Sequence, residues 1–200
     1  MNTIFLFYVL LIMTSNAKIT KFFGKTVVIP SKTKIVPITH KLYFDGGSRG
    51  NPGPSGCGYT IYLNNDEIAI GSHPLGYGTN NEAEYQGLLY GLRAAKNNNI
   101  KNILVYGESL FVINQVEGKW QCKAKNLVGY LTEARNLIRD FDRIILYHIP
   151  REKNKRADEL ANDAMDQLEL FEYTNLDTNE DTNEDSNQII TVIKELETSM

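Results

Sequence analysis

From His40 onward, hydrophobic and polar positions follow two periods that take turns. Residues 40–45 (HKLYFD), 58–64 (GYTIYLN) and 67–73 (EIAIGSH) have the short apolar or alternating character of strands. Asn64, Asn65 and Asp66 join the second to the third, and Asn and Asp tolerate the left-handed backbone that a hairpin turn needs. The period then becomes helical over 82–97, placing Tyr85, Leu88, Leu89, Leu92 and Ala95 on one face, with Thr79 and Asn80 as start signals. Residues 101–107 (KNILVYG) read as a fourth strand, 109–118 (SLFVINQVEG) as a short helix ended by Gly118, and 126–140 as a helix presenting Leu127, Tyr130, Leu131, Ala134 and Leu137. Residues 143–149 (RIILYHI) give a fifth strand and 156–170 a closing helix. Three strands able to pair antiparallel, followed by alternating helix and strand, predict an α/β fold with a mixed sheet. A right-handed crossover sets the fourth strand parallel to the first.

The flanks differ from this core. Residues 1–17 carry an apolar run, Ile4 to Met13, followed by the small residues Ser15 and Ala17, with no basic residue before it. The run is too short to span a bilayer unaided. It is read as a secretory signal, as an anchor or organelle-targeting segment, or as an unstructured stretch with translation starting at Met13. Residues 18–39 mix Lys with Phe22, Phe23, Pro30 and Pro37, as either a solvated linker with one short strand or a basic arm reaching phosphates. Residues 171–200 repeat TNED and hold eight acids against one Lys, whereas 1–39 hold five Lys and no acid. The near-neutral stretch 40–170 is the expected domain, and the tail is expected to be disordered because it buries too little apolar surface to offset its ordering entropy. Two cysteines, Cys57 and Cys122, make neither a disulfide framework nor a CxxC pair.

Four acids carry the candidate chemistry. Asp45 ends the first strand in DGGSRGNPGPSG, Glu84 opens the first long helix in TNNEAEY, Glu108 ends the fourth strand in VYGES, and Asp158 lies in HIPREKNKRADELAN. One acid at a strand end is usually solvated. Several converging at the carboxyl ends of adjacent strands make an oxygen-ligand site for a hard cation, with no Cys or His required. The glycines after Asp45, beginning with Gly46, allow tight turns and close approach of a polymer. Asn51, Asn80 and Asn81 offer amides suited to minor-groove edges and 2′-hydroxyls. Lys119, Lys123 and Lys125 surround Trp120, joining phosphate neutralisation to an aromatic face; for Trp120 the packing reading is favoured.

In this order and at these separations, the four segments resemble the type 1 ribonuclease H family, in the compact form of archaea and many bacteria, over roughly residues 40 to 166. The third segment departs from the pattern, since the family normally has Asp where Glu108 stands. The resemblance implies a ribonuclease H-like five-stranded mixed sheet of order 3-2-1-4-5 and hydrolysis of the RNA strand of RNA–DNA hybrids. It implies two Mg²⁺ ions, with Mn²⁺ as a substitute, held by Asp45, Glu84, Glu108 and Asp158, with Asp45 shared between them. Thr79 matches a phosphate contact on the DNA strand. His148 and Arg151 match positions that assist proton movement or product release, and the spacing favours Arg151. A long basic protrusion is missing, which implies a looser grip on substrate. The competing reading is a module of the same fold that binds hybrid or double-stranded RNA with little turnover because of Glu108. A monomer without stable membrane anchoring is expected, with a cytoplasmic or nuclear location if the apolar start is not a targeting segment.

Overall fold

The computed structural model describes residues 20–22, 25–27 and 37–177, with side chains over 37–170. The chain divides into two compact units, Met1–Pro37 and Ile38–Met200. In the first, strands β1 (Thr20–Phe22) and β2 (Lys25–Val27) pair antiparallel, so the linker segment contributes two short strands rather than one. The apolar run at 4–13 and the TNED repeats lie outside the described residues. Among the described residues, no helix is long and apolar enough to cross a membrane.

The second unit is built on a five-stranded sheet. Strands β3 (His40–Ser48), β4 (Gly53–Leu63) and β5 (Asp66–Gly78) form an antiparallel meander, while β6 (Asn102–Gly107) pairs parallel with β3, and β7 (Arg143–His148) parallel with β6. The order is β5-β4-β3-β6-β7, which is 3-2-1-4-5 within the unit, as expected. The meander turns where Asn64 takes a φ of 59°, a conformation that Asn adopts readily.

Helix α1 (Asn80–Asn97) follows β5, helix α2 (Leu110–Val116) follows β6, helix α3 (Val128–Ile138) precedes β7, and helix α4 (Lys155–Asp177) closes the unit. The last helix runs on past Leu170, so the boundary expected there falls inside it. The main core lies on one face of the sheet, where Leu42, Phe44, Ile61, Ile103 and Val105 meet Tyr85, Leu88, Leu89 and Leu92 of α1, with Val112, Leu131 and Ala134 behind them. On the other face α4 lies directly on β4. A Cβ at Gly58 would stand 2.5 Å from the Leu160 Cβ, and one at Gly56 2.7 Å from the Ala164 Cβ. Those glycines and the alanines Ala157, Ala161 and Ala164 set the depth at which α4, and with it Asp158, comes to rest.

Candidate active site

Strand pairing creates the site. β6 ceases to pair at Gly107, opposite Phe44, so Asp45 and Glu108 are the next residues on two adjacent parallel strands. This is the carboxyl end of the sheet, where a crevice opens between diverging chains. Asp158 arrives in the first turn of α4. Carboxylate oxygens of Asp45, Glu108 and Asp158 lie within 4.8 Å of one another. Glu84 joins them from α1, because that helix packs unusually close to β3. A Cβ on Gly46 would sit 2.1 Å from the Ala83 carbonyl carbon, and one on Gly87 2.3 Å from the Asp45 carbonyl oxygen. Glycine at both positions lets the helix backbone touch the strand beside Asp45.

The helix begins earlier than its hydrophobic pattern suggested. Thr79 is the N-cap, accepting from the Glu82 N–H while the Glu82 carboxylate accepts from the Thr79 N–H, a reciprocal capping box. Glu82 therefore takes the helix-terminus role, and Glu84 lies beyond the first turn. It is only 6% exposed, and its Oε2 has no hydrogen-bond partner among the described residues. Burial first, then the neighbouring Asp45 and Glu108, hold its carboxyl well above the usual carboxylate range. Asp45, 5% exposed, is pushed up to about 8 by burial and by Glu108, with a smaller push from Asp158 against a lowering hydrogen bond from the Gly46 backbone. Buried carboxylates that repel one another, one with an orphaned oxygen, are a set that a hard divalent cation satisfies.

An open cleft of about 480 Å³ contains this cluster, lined also by Gly46, Asn80, Arg151, Asn162 and Arg49. Arg151 stands in a single 3-10 turn before α4 and is ion-paired to Asp158. His148, the last residue of β7, is exposed and outside the cleft lining, so of the two loop candidates the structure brings in Arg151. Asn51 sits at the rim, its Oδ1 accepting from the Asn80 N–H at 3.2 Å, with Asn81 exposed beside it. Lys119, Trp120, Lys123 and Lys125 form a separate exposed arm after α2. Trp120 is 47% exposed, which overturns the packing expectation. The arm is anchored instead by Gln115, buried in α2, whose Oε1 accepts from the Tyr85 hydroxyl at 2.7 Å and whose Nε2 donates to the Gln121 carbonyl.

Asn154 is a positioning residue that no motif in the sequence marks. Its Nδ2 donates to the Phe44 carbonyl at 2.9 Å, tying the start of α4 to β3 one residue before Asp45. Its only signal was a polar residue where the chain turns from strand to helix. Arg49, likewise unexpected, clasps Asp166 and Glu169 of α4 and so holds the glycine-rich loop to that helix.

The chain is similar to known proteins in both sequence and fold. A family model described as reverse transcriptase-like matches residues 43–164. The ribonuclease HI of Halobacterium salinarum is 41% identical over 125 residues, covering 62% of this chain and 63% of that protein. The crystal structure of RNase H1 from the same archaeon superposes with a TM-score of 0.62 at 39% identity, covering 64% of this chain and 98% of that one. LC11-RNase H1, solved in complex with an RNA/DNA hybrid, gives 0.61 at 33% identity over 64% of this chain and 98% of that one. The match thus spans less than two thirds of the full Halobacterium protein. With the sheet order, the carboxylate cluster and these matches in agreement, the chain belongs to the reverse transcriptase-like family and, within it, to the type 1 ribonucleases H.

Proposed function

We propose that the protein hydrolyses the RNA strand of RNA–DNA hybrids, with two divalent ions, Mg²⁺ or in its place Mn²⁺, held by Asp45, Glu84, Glu108 and Asp158. The observation that carries this reading is the gathering of four carboxylates in one cleft, three of them within 4.8 Å of one another and two buried, with no cation ion-paired to the buried two among the described residues. Arg151 is ion-paired to Asp158. Divalent ions bound there supply an activated water and neutralise charge on the scissile phosphate.

The protein's own groups supply position. Asp45 and Glu108 are fixed by parallel pairing, Glu84 by the Gly46 and Gly87 contacts, and Asp158 by the seating of α4. The Asn51–Asn80 pair presents polar groups at the rim, where minor-groove edges and 2′-hydroxyls distinguish RNA from DNA. Arg151, ion-paired to Asp158 in the cleft wall, puts a positive charge where a substrate phosphate would enter. The hybrid-bound LC11 relative supports the choice of substrate. The longer Glu108 side chain bears on the alternative of a binding module, and its carboxylate lies within the cluster, near enough to push the Asp45 carboxyl upward.

Labelled RNA–DNA hybrid, duplex RNA and duplex DNA incubated with the wild type and Glu108→Asp, in Mg²⁺ or Mn²⁺, test the reading. Hybrid cleavage is expected from both proteins, faster in Mn²⁺ for the wild type because Mg²⁺ is stricter about ligand placement. Glu108→Asp should change the Mg²⁺ rate by less than about tenfold, or roughly 1.4 kcal/mol. Absence of cleavage with either metal in both proteins would leave only the binding module.

A further inference from the structure

Outside the cleft, a second concavity joins positive charge to a hydrogen-bonding group that is unmet among the described residues. It lies on the same face of the sheet, since Lys41, Tyr43 and Asp45 alternate onto one side of β3. Four residues of strand place Lys41 about 13 Å from Asp45. The pocket holds about 250 Å³, walled by Lys41, Tyr43, Tyr62, Lys153, Asn154 and Arg156.

Three observations define its chemistry. Lys41 and Lys153 carry no ion pair among the described residues, while Arg156, held by Glu67 and Glu159, adds a third cation. Helix α4 starts in the same wall, and the first N–H to find a carbonyl is that of Asp158, donating to Asn154 at 3.1 Å. The N–H groups of Arg156 and Ala157 are therefore left for a ligand, at the positive end of a long helix. Asn154 is 1% exposed, and with its Nδ2 engaged by Phe44 its Oδ1 has no partner among the described residues.

Cations at a helix start suit a phosphate, whereas a buried orphan acceptor needs a donor close to that phosphate. A ribose phosphate provides both in one unit. The edge-to-face pair of Tyr43 and Tyr62, with centroids 5.8 Å apart, supplies apolar surface for sugar or base. We propose that this pocket is a second nucleic-acid site that takes one ribonucleotide unit of an RNA strand. Its phosphate lies among Lys41, Lys153 and the start of α4, and a ribose hydroxyl donates to Asn154 Oδ1. The segment from Arg151 to Asn162 is a wall of both the cleft and the pocket, so RNA engaged at both is held on either side of it.

The test is an amide-resolved NMR titration of the full chain, with EDTA present to keep divalent ions off the carboxylates. The probes are AMP, 2′,3′-dideoxy-AMP, inorganic phosphate and a short single-stranded RNA. AMP and the RNA should move the signals of Lys41, Tyr62, Asn154 and Ala157, and the dideoxy compound should bind about tenfold more weakly for want of its hydroxyls. Lys41→Glu should weaken AMP binding tenfold or more at an unchanged melting temperature, and Lys153→Ala provides the same reading should the first variant fold poorly. Inorganic phosphate binding as tightly as AMP would reduce the pocket to a bare anion site. AMP binding without RNA binding would make it a free-nucleotide site, and shifts confined to Gly46, Asn80 and Glu108 would remove it altogether. Each of these three results overturns the proposal, and because the readout needs no turnover, its outcome is independent of the nuclease reading.

Discussion

The acidic cleft and the basic arm after α2 are both charged, yet they are built in opposite ways. In the cleft, Asp45 and Glu84 are buried with like charges for neighbours, and their positions follow from backbone contacts that leave no room for a single methyl at Gly46 or Gly87. In the arm, Trp120 and the lysines are exposed, and among the described residues the one ion pair is Lys119 with Glu117 on the surface. Function in the cleft therefore depends on where the charges are, and in the arm on how many there are. Substitutions in the first should act steeply and those in the second by small, salt-dependent steps.

The steepest break is Asp45→Asn, which keeps the shape and removes the charge on which the cation site depends. Hybrid cleavage should fall below a few per cent of wild type while hybrid binding in EDTA persists; retained turnover would show that the metal site lies elsewhere. Gly46→Ala attacks the same site through sterics. Its new methyl would overlap the Ala83 carbonyl, forcing α1 away from β3, and overpacking of this kind costs about 3 kcal/mol. In a domain of this size that lowers the melting temperature by roughly 10 °C. A melting temperature equal to wild type would mean that the helix can withdraw freely and that the glycine does not set the position of Glu84.

This contrast also decides what the sequence could disclose. The apolar periods placed every strand of the sheet and each of the four helices, because both faces of the fold repeat locally along the chain. The strands extend beyond their apolar patterns. β3 continues through Gly46 and Gly47, and Gly53–Gly56 of β4 pair with Gly78–Pro74 of β5. Glycine and proline there suggest turns, but a ladder is made by backbone, and α4 requires the absent side chains. The four acids were visible because their local wording is distinctive. Asn154 was not, since its meaning is one hydrogen bond to Phe44 across the fold, nor was the row of Tyr43, Tyr106 and Tyr147, whose rings stack across three strands. Trp120 misled for the converse reason: its type favours burial, while a loop pinned through Gln115 holds it outward.

A gentler probe of the cleft is pH without divalent ions. The folded-state pKa of Asp45, about 8, lies above its unfolded value near 4, so its contribution to stability is intact below about pH 4 and is lost as pH rises toward 8. Glu84 is shifted in the same direction by the same burial. The metal-free melting temperature should therefore decline between about pH 5 and 8, and Mg²⁺ or Mn²⁺ should raise it more at pH 8 than at pH 5, since the ion binds the deprotonated cluster. In Asp45→Asn both the slope and the metal response should shrink. An equal metal-induced shift at both pH values would place the bound ion away from these carboxylates.

The smallest effects belong to the arm, and there the measurement is a slope. Each phosphate neutralised by a lysine contributes about one unit to the dependence of log affinity on log salt. Lys123 and Lys125 have no ion partner among the described residues, whereas Lys119 is already paired with Glu117. Replacing Lys123 and Lys125 together with Ala should lower the slope for hybrid binding by about two, and Lys119→Ala by less than one, with turnover at saturating substrate unchanged. Exposed lysines that reach phosphates independently should also add, so the triple variant should lose the sum of the separate changes. A slope unaltered in the double variant would take the arm out of the hybrid interface. A large loss of turnover instead would mean that the arm, despite its exposure, helps to place the strand over Asp45.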